Sequence, residues 1–406
     1  MSNYGLLING ELVKSDMTLD VINPATEEVF TQVPRADEAM LDQAVAGAKV
    51  AAAKWALTDI DERKALIHKI ADAINANIEP LAKALTQEQG KPLAAATMEV
   101  QYAEIFCRYF TSLNLENEVL VDDENQRVEV QRTPLGVVAG ILPWNFPLLI
   151  GIYKIAPSIL AGNSIILKPA PTTPVVSVML GEILKDVVPA GLVNILVDDN
   201  DLGPKITSHP GIDKISFTGS TPTGKAIMSS AASTLKRITL ELGGNDAAIA
   251  LDDIDVKAAA QGIFNTAFIN SGQVCIALKR LYAHESIYDE LCEEIASLAR
   301  QAVVGNGLDE ATQFGPVQNK MQYAKVCDYL EDAKANGNVI AGGEPLDQKG
   351  YFVPLTVVKD ISDGTRVVDE EPFGPILPIV KYSELDDAIA RANNSEFGLG
   401  GSVWSS

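Results

Sequence analysis

Residues 268–277 read Phe-Ile-Asn-Ser-Gly-Gln-Val-Cys-Ile-Ala, so Cys275 directly follows a Ser-Gly-Gln turn with apolar residues on both sides. Glycine adopts backbone conformations that other residues resist, which lets the chain present Cys275 at a bend instead of inside a helix. A thiol is readily made nucleophilic near neutral pH when its thiolate is stabilised or a base lies close. A free cysteine also serves as a small buried apolar side chain, and this stretch alone leaves both roles open. Glu241 lies 34 residues earlier, in Thr239-Leu240-Glu241-Leu242-Gly243-Gly244-Asn245. With Leu240 and Leu242 on the opposite face of a strand, its carboxylate is either a helix-capping or paired structural charge, or a base beside a cleft. Asn145 sits between Pro143 and Pro147 in a strand-end loop, where its amide could donate to an oxyanion or satisfy the backbone.

Composition limits what such groups can serve. The chain has 406 residues, enough for two or three domains, with 47% apolar and 21% charged residues, as in ordinary globular proteins. Its 54 acidic and 32 basic residues give a net charge of −22. An acidic surface repels phosphate backbones and anionic lipid, so neither nucleic acid nor membrane is expected as a partner. No basic flank precedes an apolar run at the N-terminus, and Pro or Gly breaks the longest apolar segments short of a membrane span. The cysteines at 107, 275, 292 and 327 show no CxxC spacing and no His–Cys cluster. They point to reduced thiols in the cytoplasm, with no disulfide frame and no metal site.

The elements that must position these groups follow from periodicity. Short strands and turns occupy 5–34. Helices follow over 38–53, capped by Asp37, and over 63–76, started by Asp59 or Asp61, and then one long helix carries Leu85, Ala95, Val100 and Phe106. Residues 126–132 alternate polar and apolar, as an exposed strand does, and 116–134 is marked as an oligomerisation arm. From Gly136, strands at 137–142, 164–167, 193–197, 214–218 and 237–242 alternate with helices at 148–160, 173–187 and 223–232. That rhythm predicts a parallel sheet covered on both faces, with ligands at the carboxyl ends of its strands. A second alternating region, 246–406, holds Cys275, helices over 287–303 and 321–336, and the Glu370–Pro375 turn. The fold class expected is therefore α/β: a parallel-sheet region, a small β arm (116–134), and a second α/β region running to the terminus. The last residues, Val403-Trp404-Ser405-Ser406, read as an interruption of a longer chain.

Six separated segments, taken in order, are more specific than any one of them. They are Pro143-Trp144-Asn145-Phe146-Pro147, Leu167-Lys168-Pro169-Ala170, Phe217-Thr218-Gly219-Ser220, Leu240–Asn245, Asn270–Cys275 and Glu370–Pro375. Together they closely resemble the aldehyde dehydrogenase superfamily, over essentially the whole chain.

The resemblance implies NAD(P)-dependent oxidation of an aldehyde to a carboxylic acid. Cys275 would form a thiohemiacetal and then a thioester, Asn145 and the Cys275 N–H would hold the oxyanion, and Glu241 would activate water. The cofactor would lie against Leu142, Pro143, Trp144, Asn145, Lys168, Ala170, Pro171, Phe217, Thr218, Gly219, Ser220, Gly224, Glu241, Leu242 and Gly243. Lys168 and Glu371 would bind its ribose hydroxyls and Phe373 its nicotinamide. The turn from Gly219 to Gly224 would carry the pyrophosphate at a helix N-terminus, although it is not a G-x-G-x-x-G fingerprint. NAD-preferring relatives often place a Glu three residues after the lysine; here that residue is Pro171, so NAD is expected with NADP accepted. Leu149, Ile150, Tyr153, Ile269, Val274 and Ile276 would line an apolar channel for an uncharged aliphatic or aromatic aldehyde. The resemblance also implies a Rossmann-like cofactor domain (1–115 and 135–242), a β oligomerisation arm (116–134), a second α/β catalytic domain (243–406), and a homodimer or homotetramer. An acyl-CoA-forming branch is disfavoured by Glu241, and a catalytically silent structural relative is the alternative from another class. His68, His209 and His284 are not placed as bases, and no Gly-x-Ser-x-Gly elbow is present.

Overall fold

The structure, a computed structural model, describes residues 4–406. Contacts divide the chain into two compact units. The first comprises the stretch up to Val21, Val29–Leu85 and Ala96–Glu241; the second comprises Ile22–Glu28, Thr86–Ala95 and Leu242–Ser406.

The first unit opens with β1 (Leu6–Ile8) and β2 (Glu11–Val13), joined through left-handed Asn9 and Gly10. A two-stranded ribbon, β3 (Thr18–Asn23) with β4 (Glu28–Pro34), precedes α1 (Glu38–Trp55) and α2 (Ile60–Asn75). The capping expectation holds locally: Asp37 accepts from Met40 N–H, and Asp59 from Asp61 N–H. The single long helix expected next is two, α3 (Ile78–Gln89) and α4 (Leu93–Thr111). Between them Gly90 takes φ +95, and Pro92 lacks the N–H that a continuous helix needs.

That break is also where the expected first domain gives up residues. Stretches 22–28 and 86–95 fall in the second unit because their partners lie there. Gln318 donates to the Glu88 carbonyl (3.0 Å), Leu93 N–H to Gly307 (2.9 Å), and Tyr351 N–H to Pro24 (3.0 Å).

β5 (Glu118–Asp122) and β6 (Arg127–Val130) pair as a hairpin with Val119, Leu120, Val128 and Val130 exposed. The alternating part then runs β7 (Val137–Ile141), α5 (Pro147–Leu160), β8 (Ser164–Lys168), α6 (Val175–Leu184), β9 (Val193–Ile195), α7 (Gly203–Ser208), β10 (Lys214–Thr218), α8 (Thr221–Ala232) and β11 (Arg237–Glu241). The sheet order is β11-β10-β7-β8-β9-β1-β2, parallel from β11 to β9 and antiparallel at β1 and β2. Strands β7, β8 and β9 are buried at every position, as strands covered on both faces must be.

The second unit is built on β12 (Ala247–Ala250), α9 (Val256–Phe268), β13 (Arg280–His284), α10 (Tyr288–Gln301), α11 (Lys320–Asn336), β14 (Asn338–Ala341), β15 (Thr356–Ile361), α12 (Arg366–Asp369), β16 (Ile376–Tyr382), α13 (Leu385–Asn393) and β17 (Gly401–Trp404). Its sheet order is β14-β15-β16-β13-β12-β17, with only β14 antiparallel. Alternate residues feed two cores. Ala248, Ala250, Leu281 and Ala283 pack under α9 and α10, while Ile249 and Tyr282 pack with Val326, Tyr329 and Leu330 of α11. No described helix is long and apolar enough to cross a membrane.

Candidate active site

In the second unit, α9 stops at Phe268 and the chain turns through residues 269–272. Asn270 (φ 51), Ser271 (φ 55) and Gly272 (φ 72) are left-handed in succession. Non-glycine residues in that region cost about 1–3 kcal/mol each and persist where surrounding contacts impose them. Those contacts are present. Ser271 Oγ donates to the Gly315 carbonyl (2.8 Å). The Gln273 amide donates to the carbonyls of Asn270 (3.0 Å) and Pro316 (3.3 Å) and accepts from Gln318 N–H (2.9 Å). Gly272 has no substitute, because any Cβ would collide with the Gly374 carbonyl. Cys275 follows this braced turn, half-buried, between buried Val274 and exposed Ile276.

Burial pushes the Cys275 thiol upward, while the ammonium of Lys279 pulls it down. Cys107 and Cys292, buried in helices α4 and α10, are pushed up to about 12 by burial.

Glu371 lies in the same unit, just beyond α12, with its side chain largely buried. Its Oε1 accepts from Gly244 N–H (3.2 Å) and lies 3.5 Å from Lys279 Nζ. Gly243 leaves room for that carboxylate, because a Cβ there would meet Glu371 Oε2. Burial raises the Glu371 carboxyl, opposed by Lys279. Phe373 is held left-handed (φ 50), and the carbonyls of Pro372 and Phe373 accept from the Gln322 amide (2.9 and 3.0 Å).

The first unit carries the remaining candidates. Asn145 is 3% exposed, in the loop from β7 to α5. Phe146 cannot cap α5 with its side chain; instead Glu99 of α4 accepts from Leu148 N–H (3.1 Å) and Leu149 N–H (3.2 Å). Lys168 ends β8, buried, 2.7 Å from Asp198, and donates to Asn200 Oδ1 (3.0 Å). At the end of β10, Phe217 and Thr218 are buried, Gly219 turns the chain, and Ser220 caps α8 through Thr223 N–H. Gly224 is buried in the first turn of α8. Leu142 and Ala170 are buried; Pro143, Trp144 and Pro171 are partly exposed.

Glu241 closes β11, an edge strand, with its carbonyl accepting from Gly219 N–H (3.0 Å) and its side chain exposed. Its register partner is Thr218, whose Oγ1 receives a hydrogen bond from Lys154 Nζ (3.0 Å). Burial lowers Lys154 to about 8, with Glu241 pulling it back up. Of the channel candidates, Leu149, Ile150 and Tyr153 project from α5, Tyr153 with its ring edge against Phe106 (4.5 Å between centroids). Ile269 and Ile276 are exposed on the second unit, and Val274 is 8% exposed. Asn145, Lys168 and Glu241 thus belong to one unit, and Cys275, Glu371 and Phe373 to the other.

Glu99, Lys154, Asp198 and Lys279 escaped the sequence reading. Lys154 had a usable signal, a lone cation within an apolar amphipathic helix.

A profile of the aldehyde dehydrogenase family matches residues 12–406. The chain belongs to the aldehyde dehydrogenase family. It is 40% identical over 401 residues to the aldehyde dehydrogenase LUC3 of Fusarium sp, covering 98% of this chain and 85% of that protein. Among solved structures, the NAD+ complex of Bacillus cereus aldehyde dehydrogenase superposes with TM-score 0.96 at 35% identity, covering 99% of this chain and 84% of that one. An E. coli NADP-dependent enzyme superposes with TM-score 0.96 at 33% identity, covering 99% and 85%. As a member of this family the protein is an NAD(P)-dependent oxidoreductase of aldehydes. Among the described residues no cluster of His, Cys, Asp and Glu could hold a metal ion.

Proposed function

We propose that Cys275 is the nucleophile, Asn145 and the Cys275 N–H the oxyanion donors, and Glu241 the base of a hydrolytic aldehyde dehydrogenase. The observation that carries this reading is the braced left-handed turn, which holds a half-buried thiol at a bend beside a buried ammonium. The Cys275 sulfur attacks the aldehyde carbon, and the oxygen gathers negative charge against the amide donors. A bound nicotinamide supplies the hydride acceptor. Glu241 then takes a proton from water, whose oxygen attacks the thioester carbonyl and releases the acid and the thiol. Free acid as the product, with no requirement for coenzyme A, is the result that supports this branch. An acyl-CoA product would move the protein to the other branch.

The cofactor residues fit a dinucleotide. Glu371 is a fixed, buried carboxylate suited to ribose hydroxyls, and Phe373 follows it. The Ser220-capped N-terminus of α8 follows the Gly219 turn, where backbone N–H groups suit a pyrophosphate. Leu142, Pro143, Trp144, Ala170, Pro171, Phe217, Thr218, Gly224, Leu242 and Gly243 complete the proposed surface. NAD is the preferred cofactor on this reading, with NADP accepted. Pro171 supplies no carboxylate against a 2′-phosphate, yet Lys168 is already neutralised by Asp198 and gives that phosphate little attraction. Introducing a carboxylate with Pro171→Glu should lower the kcat/KM ratio of NADP to NAD by about ten- to a hundredfold, the worth of one charged hydrogen bond. An unchanged ratio would assign the preference to other groups.

The substrate is proposed to be an uncharged aliphatic or aromatic aldehyde, lying along Leu149, Ile150, Tyr153, Ile269, Val274 and Ile276. Free cysteines suit the reducing cytoplasm. The exposed apolar residues of the β5–β6 hairpin suit pairing in a homodimer or homotetramer, which light scattering on the purified protein tests.

A further inference from the structure

Lys279 stands four residues after Cys275, where the chain enters β13, and its side chain is 4% exposed. Its ammonium donates to the Cys275 carbonyl (2.6 Å) and the Ala277 carbonyl (3.3 Å), and it lies 3.5 Å from Glu371 Oε1. The same carboxylate oxygen accepts from Gly244 N–H (3.2 Å). Behind the lysine, the Asp246 carbonyl accepts from Lys279 N–H (3.0 Å), and the Asp246 carboxylate accepts from Gly400 N–H (3.2 Å). Behind Glu371, Lys325 Nζ donates to the Glu371 carbonyl (2.9 Å). One buried cation therefore joins the peptide that carries the thiol to the carboxylate proposed for the cofactor ribose.

We infer that Lys279 is a positioning residue that fixes the backbone of Cys275 and the carboxylate of Glu371 as one assembly, coupling thiol reactivity to cofactor affinity. The inference rests on the reading of Cys275 as nucleophile and Glu371 as ribose ligand. Its physical basis is that a buried ammonium is costly unless several oxygens share it, so the carbonyl and the carboxylate are held wherever Lys279 is held. The charges that face the thiol are Lys279, which favours the thiolate, and Glu371, which opposes it. Asp246 acts on Lys279, and Lys325 acts on Glu371.

Opposite substitutions should then give opposite signs. In cofactor-free protein, Lys279→Met is expected to slow iodoacetamide alkylation of Cys275 at neutral pH about tenfold, with the pH midpoint moved upward. NAD affinity, read by protein-fluorescence quenching, should fall about tenfold, the scale of one charged hydrogen bond. Glu371→Gln removes the opposing carboxylate and leaves Asp246 as the remaining counter-charge of the ammonium. It should speed alkylation while still weakening NAD. Lys279→Arg keeps the charge and should recover most of the alkylation rate. A role confined to stability would lower the melting temperature of both variants and leave alkylation and affinity unchanged below it; that outcome overturns the inference. If Lys279→Met does not fold, Glu371→Gln alone decides by the sign of its alkylation change. Peptide mapping separates the two levels. Alkylation that inactivates without modifying Cys275 defeats the site reading, whereas modification at Cys275 with no response to either variant defeats only the role of Lys279.

Discussion

Cys275→Ala is expected to lower aldehyde oxidation by at least about a thousandfold while NAD affinity stays within about twofold. Removal of a covalent nucleophile costs orders of magnitude because every later step needs the intermediate it carries. No other cysteine can replace it. Cys107 and Cys292 are buried in helices with their thiols held protonated, and Cys327 lies on α11 beside Tyr323. Alanine fills less space than the half-buried thiol and disturbs none of the hydrogen bonds that brace 269–273, so the cofactor surface should survive. Cys327→Ser serves as the control and should keep near wild-type turnover. Near wild-type turnover in Cys275→Ala would remove the covalent mechanism altogether.

Glu241→Gln should fail differently. The amide keeps the shape of the side chain but cannot take a proton from water, which slows general-base steps by about 10²–10⁴-fold. A burst of reduced cofactor close to one equivalent per site should therefore precede a steady state slowed by that factor. The acyl group should be recoverable on the Cys275 peptide by mass spectrometry. Steady turnover equal to wild type, with no acyl-enzyme trapped, would take Glu241 out of its role. The strand end should survive the substitution, because the Glu241 side chain is exposed and its carbonyl still accepts from Gly219 N–H, while Lys154 loses one nearby negative charge.

What could be read from the chain was what neighbours in sequence decide. Asp37 caps α1 as expected, and Asp59, one of the two candidates, caps α2, which starts three residues ahead of the expected position. The apolar runs at 137–141 and 164–168 are buried strands, and Cys275 follows a bend that Gly272 permits. The missed features depend on partners far along the chain. Glu99 looks like any helical carboxylate until α5, about 50 residues later, brings its unsatisfied N–H groups to it. Lys168 is expected to meet ribose hydroxyls, and nothing in the sequence announces Asp198 as its partner; only the β8–β9 pairing sets the two together. Lys279 and Arg280 are adjacent cations with no local signal of burial, yet both are buried, through partners at Glu371 and at the Asn245 and Ala392 carbonyls. The break at Gly90 was overlooked because the apolar spacing on either side is in phase, and only the positive φ with Pro92 stops the helix.

The same break has a consequence for synthesis. Residues 86–95 bury Thr86, Glu88, Gln89 and Lys91, yet their partners at 307 and 318 emerge far later; Glu88 and Gln318 are separated by 230 positions. At about 5–20 residues per second, a ribosome needs roughly 10–50 s to cover that interval. For Glu27, whose carboxylate accepts from Gly350 N–H, the delay is longer, because 323 positions intervene. Until then the polar groups of both segments are satisfied by water in the nascent chain. Chains stalled before residue 300 should be cut by protease within 86–95, and released full-length chains should not. Each unit is assembled from separated stretches of sequence, so neither can be produced as one contiguous fragment.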